Sequence, residues 1–154
     1  MNTLTLDTTV LAKGIVPPRR RKKDALYAEQ FRLFTLARSI LHNVESSVSV
    51  MNVPSVALIE VAAVAARLTG KEDRGLQASD YVREHANIVY DSSLLDESVS
   101  IAARTMISGF DSIYIACAKH TGSMLITDDK GMYDAAIRIG VKAELLRDMP
   151  GKSI

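Results

Sequence analysis

Tryptophan is absent from this sequence of 154 residues, cysteine occurs once, and aromatic residues make up only 5% of the chain. The single cysteine, Cys117, cannot form an internal disulfide, which favours a reducing, cytoplasmic location. With so few aromatic rings, the core has to be built mainly from leucine, isoleucine, valine and alanine. The histidines and glycines do not follow the spacing of a zinc site or of a phosphate-binding loop, so the sequence gives no support to either kind of site.

Long hydrophobic segments are also missing. The longest apolar stretch, residues 53–68, is interrupted by Glu60 and Arg67 and falls short of the roughly 20 residues that cross a membrane. No basic start precedes an apolar stretch at the N-terminus, so we expect neither a signal peptide nor a membrane anchor. Hydrophobic residues at 47% and charged residues at 24% are ordinary globular values. We therefore expect one globular domain over residues 1–154.

Charge is unevenly distributed along the chain. The 19 basic and 18 acidic residues leave a net charge of +1, but five basic residues are consecutive: Arg19, Arg20, Arg21, Lys22 and Lys23. Without them, 14 basic residues stand against 18 acidic ones, so the rest of the chain carries −4. This basic arm, residues 19–23, is predicted to be an exposed loop. Such a loop can contact phosphates, or it can simply add solubility.

Hydrophobic patterning predicts short strands that alternate with helices. Strands are predicted at residues 4–6, 48–50, 88–90, 124–126 and 141–145. Helices are predicted at residues 24–45, 54–68, 71–85, 91–107 and 111–120, and a last helix follows Asp129 and runs through Ile139. The 71–85 helix is expected to be exposed, with Gly75 as a weak position, and Gly109 is expected to end the 91–107 helix. This alternation predicts an α/β domain with a mainly parallel central sheet.

Acidic residues stand where two of these strands end and where one helix begins. Asp7 follows the first strand, Asp128 and Asp129 follow the 124–126 strand, and Asp111 opens the 111–120 helix. Ligands of open parallel sheets bind beyond the carboxyl ends of the strands, so these acids are candidates for a binding site. The alternative is that the aspartates only cap helix N-termini.

Glu60 is an acid on an apolar helix face, since its neighbours three and four residues away are all apolar. An unpaired carboxylate there would cost several kcal/mol or take up a proton. Either Arg67 pairs with it, or Glu60 points into a site shared with the aspartates. Several carboxylates held together require a cation, and oxygen ligands suit Mg²⁺ or Mn²⁺. Such a site can bind phosphates and support hydrolysis.

Four sequence blocks resemble those of PIN-domain ribonucleases. They are Leu-Asp-Thr-Thr-Val-Leu at 6–11, Val-Pro-Ser-Val-Ala-Leu-Ile-Glu-Val at 53–61, Gly-Phe-Asp-Ser-Ile-Tyr-Ile-Ala-Cys-Ala at 109–118 and Leu-Ile-Thr-Asp-Asp-Lys at 125–130. They occur in the order found in the family and span nearly the whole chain. Within the family, the sequence is most similar to the small prokaryotic toxins of the VapC type. The resemblance implies a three-layer α/β/α domain and a Mg²⁺- or Mn²⁺-dependent endoribonuclease.

The resemblance also implies the site residues. Four catalytic acids match the family pattern: Asp7, Glu60, Asp111 and Asp129. The three aspartates among them are implied to hold metal, while Glu60 completes the shell or manages protons. Asp128 falls in a variable position of the last block and is a second-choice ligand.

Hydroxyl residues match supporting positions of the same pattern. Thr8 follows the first acid, and Thr127 is expected to orient water or a neighbouring carboxylate. Thr9 departs from the family, which often has asparagine there, so the role of that amide is open in this chain. The basic arm would contact the RNA backbone.

The resemblance further implies a homodimer and an antitoxin protein whose tail covers the acidic cleft. Two other functions stay open: an RNA-processing nuclease that is not a toxin, and a catalytically inactive module that binds RNA or protein. The presence of all four acids argues against the inactive module. A phosphatase of the haloacid-dehalogenase type is disfavoured because it needs an aspartate where Thr9 stands.

Overall fold

Five parallel strands form the centre of the computed structural model, which describes residues 1–151. The strands are β1 (Asn2–Leu6), β2 (Ser49–Pro54), β3 (Ala86–Val89), β4 (Met124–Thr127) and β5 (Ala143–Leu145). Their order across the sheet is β3-β2-β1-β4-β5, so β1 is the middle strand. Its Leu4 pairs with Met51 of β2 on one side and with Met124 of β4 on the other.

Helices cover both faces of this sheet. They are α1 (Thr8–Ile15), α2 (Ala25–Glu45), α3 (Val56–Thr69), α4 (Glu72–His85), α5 (Asp91–Thr105), α6 (Gly109–Thr121) and α7 (Lys130–Arg138). Because parallel strands are joined by right-handed crossovers, α1 to α4 lie on one face and α5 to α7 on the other. This is the three-layer α/β/α fold with a parallel sheet that the sequence predicts.

The core is aliphatic, as the scarcity of aromatic residues predicts. Leu6, Leu11, Leu41 and Leu125 are completely excluded from solvent. Tyr114 of α6 is an exception, because it is an aromatic residue with a polar hydroxyl in this aliphatic core. Only 2% of its surface is exposed. A buried hydroxyl needs a hydrogen-bond partner, so this residue also concerns the site described below.

Several predicted boundaries are wrong by a few residues. Pro54 ends strand β2 instead of opening a helix, and that strand is longer than the predicted 48–50 segment. A proline fits the last strand position because no further ladder N–H is needed from it. Helix α5 ends at Thr105, where Met106 adopts a left-handed conformation with φ 59°, and Gly109 begins α6 instead of ending α5. The short helix α1 was not predicted.

Helix α4 is less exposed than predicted, because Gly75 packs against α3. A Cβ atom added to Gly75 would lie 2.5 Å from the carbonyl oxygen of Ala62 and 2.9 Å from the Cβ of Ala66. The absence of a side chain therefore allows the two helix backbones to approach closely, and Ala78 and Val82 are buried on the same face. Gly75 is a packing position and not a weak point of the helix.

The parallel arrangement brings the carboxyl ends of all the strands to one edge of the sheet. Asp7 and the Asp128–Asp129 pair follow adjacent strands at this edge, and the basic arm lies in the loop between α1 and α2. None of the helices within residues 1–151 has the length and hydrophobicity that crossing a membrane requires.

Candidate active site

Asp7 lies at the centre of this edge, directly after the middle strand. It is 1% exposed, and both of its carboxylate oxygens accept hydrogen bonds. Oδ2 accepts from the hydroxyl of Thr127 at 2.6 Å, and Oδ1 accepts from the hydroxyl of Thr9 at 2.7 Å and from the amide of Val10 at 3.1 Å. The last of these bonds caps helix α1. Asp7 is thus both a helix cap and a buried, fixed carboxylate.

Burial dominates the ionisation of Asp7 and raises its pKa from 3.8 to about 6. The three hydrogen bonds favour the charged form, and the charge of Asp129 opposes it, but loss of hydration outweighs the hydrogen bonds. Perturbed carboxylates of this kind are typical of functional sites. A positive charge placed beside Asp7 would reverse the shift.

Two threonine hydroxyls join Asp7 to the turn that follows β4. Thr127 donates to Asp7 and accepts from the amide of Asp129 at 3.0 Å. Thr9 donates to Asp7 and accepts from the amide of Asp128 at 3.0 Å. The contact of Thr127 with a carboxylate agrees with the prediction for it, whereas the contact made by Thr9 was not predicted. An asparagine amide can also donate and accept at once, so threonine is able to replace it here.

Asp129 lies at the N-terminus of helix α7. The sequence left two alternatives for it, a helix cap or an acid of a binding site, and its position is compatible with both. Its Oδ1 accepts from the amide of Met132 at 2.9 Å and so caps the helix. Its charge also raises the pKa of Asp7 and of Asp111, so it stands close to both of those acids.

Asp111 lies in the first turn of α6, where Ser108 and not Asp111 is the helix cap. The simple capping interpretation of Asp111 is therefore wrong. Burial raises its pKa, and the charges of Asp129 and Glu60 raise it further. Asp111 thus lies near acids contributed by two other helices.

Glu60 of α3 is half-buried and its partner is not Arg67. Its Oε1 accepts a hydrogen bond from the Tyr114 hydroxyl at 2.6 Å, and the hydroxyl of Thr8 lies 3.4 Å away. The oxygens of Thr8 and Tyr114 are 2.7 Å apart. Among residues 1–151, no ion pair joins Glu60 to Arg67, whose side chain is exposed.

Tyr114 was not predicted as a site residue, because it lies in an almost entirely apolar helix. Burial raises the pKa of its hydroxyl far above the usual value, and the hydrogen bond to Glu60 adds to this shift. The hydroxyl is therefore a permanent donor. One feature of the sequence could have pointed to Tyr114: it stands three residues after Asp111 and so lies on the same face of α6.

The four acids Asp7, Glu60, Asp111 and Asp129 have no ion-pair partner within the described part of the chain, although their charges act on one another. Asp128 differs, because Lys13 lies 3.2 Å from its carboxylate and Arg147 lies 3.0 Å from it. The donor set is made of oxygen alone, which fits Mg²⁺ or Mn²⁺. Across residues 1–151, no three such side chains already stand at metal-binding distances from one another.

A cleft of about 720 Å³ opens beside this site, between α1, α2 and α3. Thr8 and Glu60 line it near the acids, and Arg19 and Arg20 of the basic arm line it farther out. Most of its remaining wall is apolar and includes Phe34. The basic arm is exposed, as predicted, and two of its residues, Arg19 and Arg20, line the same cleft as Glu60.

The residues of the basic arm differ in whether they contact other side chains of the protein. Arg20 forms a two-pronged pair with Asp24, with N–O distances of 2.9 and 2.6 Å. The ammonium of Lys23 lies 3.7 Å from the centre of the Tyr27 ring. Arg19 has no ion pair in residues 1–151 and is free to bind an anion.

The family model for the PIN domain matches residues 4–138 of this chain. No curated protein sequence matches it. Three similar solved structures cover nearly the whole fold. VapBC2 from Rickettsia felis, bound to a DNA fragment from their promoter, has a chain 13% identical with a TM-score of 0.61, covering 93% of this chain and 98% of that one.

The other two structures contain Fit proteins. FitAB bound to the IR36 DNA fragment contains a chain 15% identical with a TM-score of 0.63, covering 96% and 97% of the two chains. FitAcB from Neisseria gonorrhoeae contains one that is 14% identical with a TM-score of 0.55, covering 95% and 99%. At these identities the likeness establishes the fold.

Proposed function

This chain belongs to the PIN domain family, whose members are generally nucleases, and we propose that it is a metal-dependent endoribonuclease and the toxin of a toxin–antitoxin pair. The observation that carries the proposal is a set of acids without an ion-pair partner in residues 1–151, namely Asp7, Glu60, Asp111 and Asp129. The charge of Asp129 acts on Asp7 and Asp111, and the charge of Glu60 acts on Asp111. Within residues 1–151, two cations pair with Asp128 and none pairs with these acids, which leaves room for a cation from solution.

Asp7, Asp111 and Asp129 are the residues that would hold Mg²⁺ or Mn²⁺. A bound divalent cation would supply the positive charge that neutralises these acids and the phosphodiester. Asp128 is the poorer ligand, because its carboxylate already neutralises Lys13 and Arg147. The threonine hydroxyls on both oxygens of Asp7 keep that carboxylate in one orientation.

Glu60 is the fourth acid of the site, placed to complete the shell of the cation and to manage a proton. Its Oε1 is occupied by the Tyr114 hydroxyl, whereas its Oε2 has no hydrogen bond in residues 1–151. Oε2 is therefore the atom that would accept a proton from water or return it to the leaving oxygen. The half-exposed position of Glu60 at the end of the cleft gives solvent access to this atom.

RNA is the proposed substrate, and the basic arm is its proposed backbone contact. Arg19 and Glu60 line the same cleft, so a strand with a phosphate on Arg19 would pass beside the acids. Contacts of this kind position the strand and carry no sequence information. The target sequence would have to be read by other groups.

The toxin assignment agrees with the similar structures, two of which are FitA–FitB and VapB–VapC complexes bound to DNA. As the family resemblance implies, we propose a homodimer and an antitoxin partner, and a segment of that partner would pack against the apolar wall of the 720 Å³ cleft. The single cysteine is buried, which is compatible with a cytoplasmic protein.

The test is cleavage of a mixed RNA pool by the wild-type chain with Mn²⁺, by the same chain with EDTA, and by Asp7→Asn with Mn²⁺. Cleavage is expected in the first case alone. Asp134→Asn is the matched control, because this exposed acid pairs with Lys130 outside the site, and it should retain activity.

Cleavage that survives in EDTA or in Asp7→Asn would contradict the proposal. Absence of both cleavage and Mn²⁺ binding would instead favour an inactive binding module. Mn²⁺ binding without cleavage would direct the search to a narrow RNA target.

A further inference from the structure

The hydroxyl of Tyr114 joins three elements of the proposed site. The residue belongs to α6, its oxygen lies 2.6 Å from Oε1 of Glu60 on α3, and it lies 2.7 Å from the hydroxyl of Thr8 at the start of α1. The ring is 2% exposed and fills the core. A phenylalanine would fill the same space without requiring a polar partner, so packing does not explain the hydroxyl.

The two contacts fix the direction of the hydrogen bonds. A carboxylate only accepts, so Tyr114 donates its single proton to Glu60. Thr8 therefore donates to Tyr114 at 2.7 Å, its shorter contact, while its oxygen also lies 3.4 Å from Oε1 of Glu60. The three residues form a chain from Thr8 through Tyr114 to Glu60. Hydrogen bonds to an ionised acceptor are short and strong, and the 2.6 Å distance agrees with this.

Glu60 needs such a donor because the neighbouring carboxylate of Asp111 repels it. The charge of Glu60 acts on Asp111, which precedes Tyr114 by three residues on the same helix face. A flexible glutamate beside another acid would otherwise turn away into the open cleft. Helix α6 thus supplies one acid of the site and also the donor that holds the acid of α3 next to it.

We propose that Tyr114 is a positioning residue, whose hydroxyl holds Oε1 of Glu60 and so keeps Oε2 available to the divalent cation and the water that the site takes. This inference rests on the proposed function, because it gives Glu60 its role at the same site. The hydroxyl acts through Glu60 and touches neither RNA nor cation.

The experiment measures Mn²⁺ affinity by titration calorimetry for the wild type, Tyr114→Phe, Glu60→Ala and the double variant, alongside kcat and KM for RNA. Loss of an outer-shell partner weakens metal binding by about 10-fold or more, so Tyr114→Phe should bind Mn²⁺ about 10-fold more weakly. In the Glu60→Ala background the same substitution should have no further effect, because the residue it acts through is gone. We expect kcat to fall and KM to stay unchanged.

Thr8→Val provides a second variant that leaves the tyrosine ring in place. It removes the hydroxyl that donates to Tyr114 and lies 3.4 Å from Oε1 of Glu60, and it should weaken Mn²⁺ binding by less than Tyr114→Phe does. This variant also decides the matter if Tyr114→Phe does not fold, since unchanged Mn²⁺ affinity in Thr8→Val would then overturn the inference.

The outcomes separate the two proposals. Wild-type Mn²⁺ binding and cleavage with an unchanged Tyr114→Phe would overturn this inference and leave the proposed function standing. An equal loss in the wild-type and Glu60→Ala backgrounds would also overturn it, because the hydroxyl would then act on the fold and not through Glu60. A wild type that neither binds Mn²⁺ nor cleaves RNA would overturn both.

Discussion

Two aspartates that follow β4 in succession, Asp128 and Asp129, lie in opposite electrostatic surroundings. The carboxylate of Asp128 is buried and lies 3.2 Å from Nζ of Lys13 and 3.0 Å from Nε of Arg147. Asp129 has no ion pair in residues 1–151, and its charge raises the pKa of two other acids. Among the residues described, the fold thus supplies cations to Asp128, which joins its elements, and supplies none to the acids near Asp129. At the second place, a proton or an external cation has to balance the charge.

The basic arm shows the same difference between neighbouring residues. The guanidinium of Arg20 is engaged by Asp24, which also caps helix α2, whereas Arg19 has no ion pair among the residues described. Charges with an internal partner hold structure, and charges without one remain available for a ligand. Each of the following substitutions tests that distinction, beginning with the largest expected effect.

Asp7→Asn should stabilise the protein above about pH 6 while removing metal binding. The pKa of Asp7 is raised from 3.8 to about 6, so keeping it ionised in the fold costs about 3 kcal/mol of stability. Because the folded pKa is the higher one, the favourable contribution of Asp7 is complete only below about pH 4 and is lost as the pH rises through 6. Asparagine does not ionise, so the free energy of unfolding should exceed that of the wild type by up to about 3 kcal/mol at neutral pH.

Urea unfolding in EDTA at about pH 4 and about pH 7.5 measures this difference. The two proteins should converge at the lower pH and separate at the higher one. A difference that does not change between these pH values would contradict the assignment of a raised pKa to Asp7. The Asp134→Asn variant, which alters an exposed acid outside the site, is the matched control for the substitution itself.

Asp128→Asn and Asp129→Asn should have opposite effects. Neutralising Asp128 leaves Lys13 and Arg147 without their partner and should lower the free energy of unfolding by about 1–3 kcal/mol, with Mn²⁺ affinity largely retained. Neutralising Asp129 should abolish Mn²⁺ binding with little loss of stability, because asparagine also caps helices well.

Thermal melting without metal and Mn²⁺ calorimetry on the same two variants measure both quantities. The assignment would be wrong if Asp128→Asn lost Mn²⁺ binding while Asp129→Asn kept it. In that case Asp128, and not Asp129, would be the metal ligand.

The sequence predicted the fold, and with it the neighbouring positions of Asp7 and Asp129, because both depend on local patterns. Alternating apolar strands and helices fix a parallel sheet, and a parallel sheet brings residues that follow adjacent strands to the same edge. Asp7 and Asp129 follow β1 and β4, which are neighbours in the sheet. Their catalytic roles remain predictions.

Contacts between distant residues could not be read in the same way. Whether Asp128 or Asp129 faces the other acids depends on Lys13 and Arg147, which approach Asp128 from distant parts of the chain. The hydroxyl of Tyr114 likewise meets Glu60 only after α3 and α6 have packed. Neither helical periodicity nor strand alternation indicates such partners. The pairing of Glu60 with Arg67, one of the two alternatives for Glu60, rested on helical spacing alone.

Thr9→Val should weaken Mn²⁺ binding by about 10-fold, whereas Thr9→Ser should bind like the wild type. Valine has the shape of threonine but can neither donate to Oδ1 of Asp7 nor accept from the amide of Asp128. Serine keeps both hydrogen bonds. Thr9→Asn should also retain affinity, because the amide supplies one donor and one acceptor.

Mn²⁺ calorimetry on the three Thr9 variants is the measurement, with the melting temperature as a control for folding. Equal Mn²⁺ affinities for the valine and serine variants would show that the carboxylate of Asp7 does not need the hydroxyl of Thr9 to keep its orientation. The hydrogen bonds of Thr9 would then serve the turn after β4 and not the site.

The smallest effect is expected for single residues of the basic arm, where Arg19→Gln should matter more than Arg20→Gln. For single-stranded nucleic acid, each neutralised phosphate contributes about 0.7 to the slope of log K against log salt concentration. Arg19→Gln should therefore reduce the magnitude of that slope by about 0.7. Arg20→Gln should change it less, because Asp24 already compensates the charge of Arg20. Fluorescence polarisation of labelled RNA in the Asp7→Asn background avoids cleavage, and equal slopes for all the proteins would mean that the arm only adds solubility.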